Sequence, residues 1–141
     1  MGAILDLFDR CEELAEAVRA AGNPWVVTHG QVHAENVIRS ADDTLLLVDW
    51  ECVAVAPRER DLGTWGNQLD PKTDDDWAVY TAAGQPRGID PAAVELYRHI
   101  ELLWGICADT ALFRSPHVDN PDTRHEWSNL QTALSRMDRQ P

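Results

Sequence analysis

The residues able to do chemistry gather between positions 29 and 61. His29-Gly30-Gln31-Val32-His33-Ala34-Glu35-Asn36 holds two imidazoles, two carboxamides and a carboxylate, and Asp49-Trp50-Glu51 and Arg58-Glu59-Arg60-Asp61 follow it. Histidines at H-x₃-H spacing, together with Asp49, are donors that zinc accepts, which would make a metal-assisted hydrolase. In an irregular loop that spacing does not fix convergence. The competing reading makes His29 a structural histidine bonded to backbone, His33 a loop residue and Asp49 an aspartate at a strand end. Trp50, between two acids, packs beside any site built here.

An irregular loop and a turn meet only if strands carry them. Ile4, Leu5, Phe8, Cys11, Leu14, Ala15 and Val18 recur at helical spacing, so residues 4–20 form an amphipathic helix that Gly22-Asn23-Pro24 ends. Residues 25–28, 36–39 and 45–48 are strand-like, and 40–44 carry turn chemistry, which predicts a β-hairpin that exits on Asp49. From Ala56-Pro57 to Asp70-Pro71 the pattern is irregular, with one helical turn near 61–65. Thr73 caps a short helix that opens on Asp74, Asp75 and Asp76 and runs through Tyr80 to a break at 84–88. Asp90-Pro91 starts a long helix to Arg114 with Leu96, Ile100, Leu103, Trp104, Cys107 and Ala111 inward. Its middle, 102–108, is apolar nearly all round and belongs at the centre of the core. Asn120-Pro121 opens a last helix marked by Trp127, Leu130, Leu134 and Met137, and Trp25, Trp104 and Trp127 are expected in the core.

A chain of 141 residues, 44% hydrophobic and 26% charged, is large enough to bury a core of its own without disulfides or metal. No apolar run approaches the roughly 18 residues of a membrane span. The first residues lack both a basic region and an apolar signal core, so the expected address is cytoplasmic. Acidic residues outnumber basic ones 24 to 12, and the net charge of −12 argues against nucleic-acid and anionic-membrane partners. It favours a cationic ligand or serves solubility alone. Cys11, Cys52 and Cys107, widely spaced, predict reduced, mostly buried thiols.

Taken together, HGQVHAEN (29–36), LLLVDWE (45–51) and APRERDL (56–62) resemble the aminoglycoside phosphotransferase family of kinase-fold enzymes. That family's catalytic loop reads His-x-Asp-x-x-x-x-Asn and its metal segment Asp-x-Glu, and HAEN, VDWE and APRERDL look most like its spectinomycin-phosphotransferase branch. The resemblance implies ATP and Mg²⁺ as cofactors, with Asn36 and Asp49 at the two magnesium-ligand positions and Glu51 at an accessory acidic one. It also implies that His29 and Asp61 brace the loop. At the position of the family's catalytic base stands Gln31, an amide that can hydrogen-bond a hydroxyl but cannot take its proton at neutral pH.

The likeness covers nearly the whole chain as a carboxy-terminal lobe. No Gly-x-Gly-x-x-Gly occurs, and Lys72, the one lysine, lies in a polar run, so the family's amino-terminal nucleotide lobe is expected to be absent. The expected fold is α+β, mostly helical: residues 1–141 as a single, isolated C-terminal lobe of a kinase-like fold with a small β-hairpin. The implied function is ATP/Mg-dependent phosphoryl transfer to a hydroxyl of a small cationic, antibiotic-like substrate, weak or absent in the isolated chain. The alternative is a non-catalytic module derived from that lobe, which sequesters a cationic or polyhydroxylated ligand or docks on a partner. A lone lobe leaves apolar surface near Trp25 and the hairpin, so a homodimer or a partner chain over that surface is expected.

Overall fold

The computed structural model describes residues 2–64, 82 and 88–137. Among these the architecture is mostly helical, with short strands in two antiparallel pairs. The chain divides into two compact units, Leu14–Arg98 and Met1–Glu13 with His99–Pro141, and the helices α1 (Gly2–Ala21) and α3 (Pro91–Arg114) contribute to both.

In the unit Leu14–Arg98, α1 stops where Gly22 takes the left-handed conformation at φ 62° and returns its N–H to the Arg19 carbonyl, 3.3 Å away. The chain then enters β1 (Trp25–Thr28), which pairs with β4 (Ala54–Pro57) in the register Trp25 to Pro57 through Thr28 to Ala54. The irregular pattern expected from Ala56 is thus corrected: Ala56 and Pro57 end a strand, with proline at the terminal position where its missing N–H is tolerated. β2 (Val37–Arg39) and β3 (Leu45–Leu47) form the expected hairpin, each a residue shorter than its apolar run, because Asn36 closes a 3₁₀ turn and Val48 leads into the Asp49 turn. Asp43 at φ 67° turns the hairpin, Ser40 N–H bonds the Thr44 carbonyl at 2.9 Å, and the Ser40 hydroxyl donates to Asp42, holding that carboxyl below its ordinary range.

α2 (Glu59–Thr64) follows β4 directly, earlier than the turn expected near 61–65. Asp90 caps α3 through bonds from Ala92 N (3.0 Å) and Ala93 N (3.4 Å), and Pro91 is the first helical residue. The same carboxylate accepts from Asn23 Nδ2 at 3.0 Å, and buried Glu59 accepts from Asp90 N at 3.3 Å and Arg58 Nε at 3.2 Å. This polar knot fixes where β1, α2 and α3 begin. Leu14, Val18, Ala56, Leu62, Ala93, Val94 and Leu96 are the buried apolar side chains around it.

The other unit has its own core of Leu7, Leu103, Ile106, Leu130, Ala133 and Met137, with Ile4, Cys11, Leu102 and Phe113 against it. Here α4 (Pro121–Met137) opens on Asn120, whose side chain takes the Thr123 N–H at 2.9 Å while Thr123 Oγ1 takes the Asn120 N–H at 3.0 Å. Phe113 meets Trp127 and His117 edge-on, with centroids 5.1 and 5.2 Å apart.

Several expected core residues lie outside. Trp25, Trp104 and Trp127 are 56%, 58% and 48% exposed, and Ile100, Cys107, Ala111 and Leu134 face outward with Leu5 and Phe8. α3 buries Leu96 and Leu103 as expected, but with Ala93, Val94 and Ile106 rather than Ile100, Trp104, Cys107 and Ala111, a face that a helix apolar nearly all round does not single out. The thiols are free, Cys11 and Cys52 half-buried and Cys107 exposed rather than mostly buried. The helix from Thr73 through Tyr80, with Asp74, Asp75 and Asp76, and Lys72 fall outside the described residues, as does the 84–88 break except Gly88. No helix among the described residues is long and apolar enough to cross a membrane.

Candidate functional site

Among the described residues the buried polar side chains are Thr28, His29, Asn36 and Glu59, and the first three belong to the loop that leaves β1 and re-enters β2. Buried polar groups must be hydrogen-bonded, so their partners define the loop's shape.

His29, 1% exposed, is satisfied on every side. Its Nε2–H donates to the Val48 carbonyl at 2.8 Å, its Nδ1 accepts the Gln31 N–H at 3.2 Å, and Trp50 stands edge-on at 4.7 Å. With both ring nitrogens occupied it cannot ligate a metal. His29 and His33 therefore make no zinc site with Asp49, and no group of three His, Cys, Asp or Glu among the described residues converges on one point. His29 does link the loop to the strand end ahead of Asp49.

Asp61, on the first turn of α2, grips the loop's start: one oxygen accepts from His29 N at 2.9 Å, the other from Gly30 N at 2.6 Å. Arg60 beside it donates to Thr28 Oγ1 and to the Cys52 carbonyl, both at 2.8 Å, so one guanidinium ties the end of β1 to the turn after Asp49. It lies flat on Gly30, which has φ 89°, and a Cβ there would overlap the guanidinium. Glycine is required twice, by conformation and by contact. Close by, burial pushes the Tyr97 phenol above its ordinary value; the Arg60 charge opposes the shift and Glu59 adds to it. Arg60, Thr28, Gly30 and Glu59 were not singled out from sequence as site residues; the alternating PRERD run and a glycine directly after His29 are the signals that carried them.

The remaining groups face a different task. Asn36, 7% exposed, spends both amide hydrogens, on the Gln31 carbonyl at 3.0 Å and on His33 Nε2 at 3.2 Å. Its backbone carbonyl accepts Val48 N–H at 2.9 Å, which sets Asn36 beside the residue that precedes Asp49. Asp49 itself is left-handed (φ 63°, ψ 63°) at the head of the 3₁₀ turn Trp50–Cys52, a conformation aspartate tolerates better than most residues. Asp49 and Glu51 are exposed, and among the described residues neither carboxylate has a partner. Among the described residues, Asn36 Oδ1 and the Asp49 and Glu51 carboxylates are thus oxygens without protein bonds, hard donors of the kind magnesium takes when phosphates and water complete its shell. The residues present fit that ion. Gln31 is half-buried with its backbone engaged on both sides, and its side-chain amide bonds no described residue.

No curated protein matches the chain by sequence. Among solved structures it is similar to the crystal structure of spectinomycin phosphotransferase, APH(9)-Ia, in complex with ADP and spectinomycin: 20% identity and a TM-score of 0.71, covering 98% of this chain and 44% of that one. Against the AMP-bound complex of spectinomycin phosphotransferase the identity is 19% and the TM-score 0.67, over 98% and 45%. The chain therefore spans under half the length of these solved relatives, and the likeness is one of fold, that of part of a kinase-like molecule. The profile of the phosphotransferase enzyme family matches residues 2–97, the stretch that holds the loop, the hairpin, the Asp49 turn and α2; the chain belongs to that family.

Proposed function

We propose that this chain is the metal-and-acceptor half of an ATP-dependent phosphotransferase, able to bind a magnesium-nucleotide weakly and to transfer phosphate slowly or not at all by itself. One observation carries the reading: the Val48-to-Asn36 backbone bond sets Asn36 beside the Asp49 turn, both with side-chain oxygens that no described residue bonds, while Gln31 occupies the neighbouring turn of the same loop. Asn36, Asp49 and Glu51 would hold Mg²⁺, which when bound neutralises charge on the phosphates. In the transfer, the acceptor oxygen bonds to the γ-phosphorus, the bond to the ADP oxygen breaks, and the hydroxyl proton must leave. Gln31 can orient that hydroxyl but cannot take the proton, a loss of roughly 10²- to 10⁴-fold against a general base. The chain's acidity suits a cationic, hydroxyl-bearing acceptor of the antibiotic type.

Calorimetric titration with ATP, with and without magnesium, tests the half-site; magnesium-dependent heat is expected. With a nucleotide lobe supplied in trans, Gln31→Asp should then raise the rate of product formation. A folded chain that binds no nucleotide at millimolar concentration would overturn this reading. The second reading, a non-catalytic binding or docking module, is favoured by Gln31 and by apolar side chains exposed on both strand pairs, among them Val27 at 68% and Leu45 at 61%. Such a surface is one that a second polypeptide covers.

A further inference from the structure

We infer that His33 is a positioning residue which, with the Gln31 carbonyl, holds the Asn36 amide so that its oxygen is the end offered to a cation, an inference that rests on the half-site proposed above. An amide nitrogen only donates, so His33 Nε2, 3.2 Å from Asn36 Nδ2, must be the acceptor. The ring proton then sits on Nδ1, which faces Glu35 Oε2 at 3.8 Å. The Gln31 carbonyl takes the other hydrogen at 3.0 Å. Both hydrogens are thus spent, and Oδ1 keeps its lone pairs, no described residue bonding it. A flipped amide would set Oδ1 against the Gln31 carbonyl oxygen, and to keep its bond to His33 it would need the ring proton on Nε2, taken from the nitrogen that faces the Glu35 carboxylate. The Gln31 partner is backbone and survives any substitution. His33 is the part of the lock that a side-chain change removes, and its role is argued through Asn36. A partner of this kind, bonded to the ligand from behind, is what orients metal-site side chains generally.

The test compares wild type, His33→Leu and His33→Gln. Glutamine can place a carbonyl oxygen where Nε2 accepts; leucine fills the space and accepts nothing. Mn²⁺, titrated in the presence of ADP and read by its electron paramagnetic resonance, is the cation probe. His33→Leu should weaken Mn²⁺ binding by roughly 10- to 100-fold, and His33→Gln should restore most of it, at matching melting temperatures. The side-chain amide resonances of Asn36, followed by ¹⁵N NMR without metal, supply a second readout: one of the two protons should lose its hydrogen-bonded shift in His33→Leu and regain it in His33→Gln. Unchanged Mn²⁺ affinity or unchanged Asn36 resonances in His33→Leu would overturn the role of His33. Resonances that change as expected in a chain whose wild type binds no Mn²⁺ would instead uphold the lock and overturn the half-site.

Discussion

Asp61 shows how one side chain organises a loop it does not belong to. Its two oxygens serve the consecutive N–H groups of His29 and Gly30, both residues buried. Asp61→Ala leaves two buried donors without acceptors and is expected to cost roughly 2–4 kcal/mol in urea denaturation, a charged acceptor being lost at each. Gly30 carries the complementary requirement. Gly30→Ala combines a β-carbon at φ 89° with overlap on the Arg60 guanidinium, and that guanidinium is held at both ends by Thr28 and Cys52. A loss of about 2 kcal/mol or more is expected by the same measurement. A Gly30→Ala chain as stable as wild type would mean that Arg60 moves aside freely and does not tie the two turns. His29, Asn36, Asp49 and Asp61 were legible because their spacing matched a known loop and hairpin. Arg60 and Gly30 were not, because their roles depend on a contact across 30 residues that no periodicity records.

At the scale of elements, legibility followed how strongly each segment marks its own ends. β1 and β2 carry β-branched residues, a turn of Ser, Asp and Thr separates β2 from the leucines of β3, and α3 announces itself with Asp90-Pro91. β4, Ala54-Val55-Ala56-Pro57, has neither aromatic residues nor alternation; it is a strand because β1 offers it a partner. The faces of α3 and α4 are legible only in part for the same kind of reason: Leu96, Leu103, Leu130 and Met137 are buried while Ile100, Trp104, Trp127 and Leu134 are not, since apolar groups surround the middle of α3 and burial there is settled by packing. Within the unit that holds α4, Asp109 of α3 shows the cost of that packing. Its carboxyl is pushed above the ordinary value of 3.8, first by desolvation, then by the charge of Glu126, to which it is also hydrogen-bonded. Between 3.8 and the raised folded value, the folded chain keeps a proton that the unfolded chain has released, so stability falls as pH rises through that window. Asp109→Asn abolishes this titration and gives Glu126 a permanent donor. It is expected to melt higher than wild type at neutral pH, with the difference shrinking in acid; a pH-independent difference would assign the gain to packing.

For the molecule as a whole, two surface properties pull in opposite directions. A net charge of −12 sets copies of the chain against one another, while Trp25, Val27, Ile38, Leu45, Leu46 and Val55 leave the strand pairs of one unit more apolar than a solvated surface requires. Among the described residues both sheets are two-stranded, so each strand has one edge that no described strand pairs. Desolvation of apolar area is insensitive to salt, whereas repulsion between exposed charges fades over about 8 Å at 0.15 M ionic strength. Self-association should therefore grow with added salt, the reverse of a contact made by ion pairs. Light scattering at micromolar concentration is expected to give a mass above 15.8 kDa, rising between low and physiological salt. The double substitution Val27→Glu and Leu45→Glu, at sites 68% and 61% exposed, should return the monomer without lowering the melting temperature. A wild-type monomer at every ionic strength would mean that the hairpin surfaces are stably solvated and that no second copy covers them.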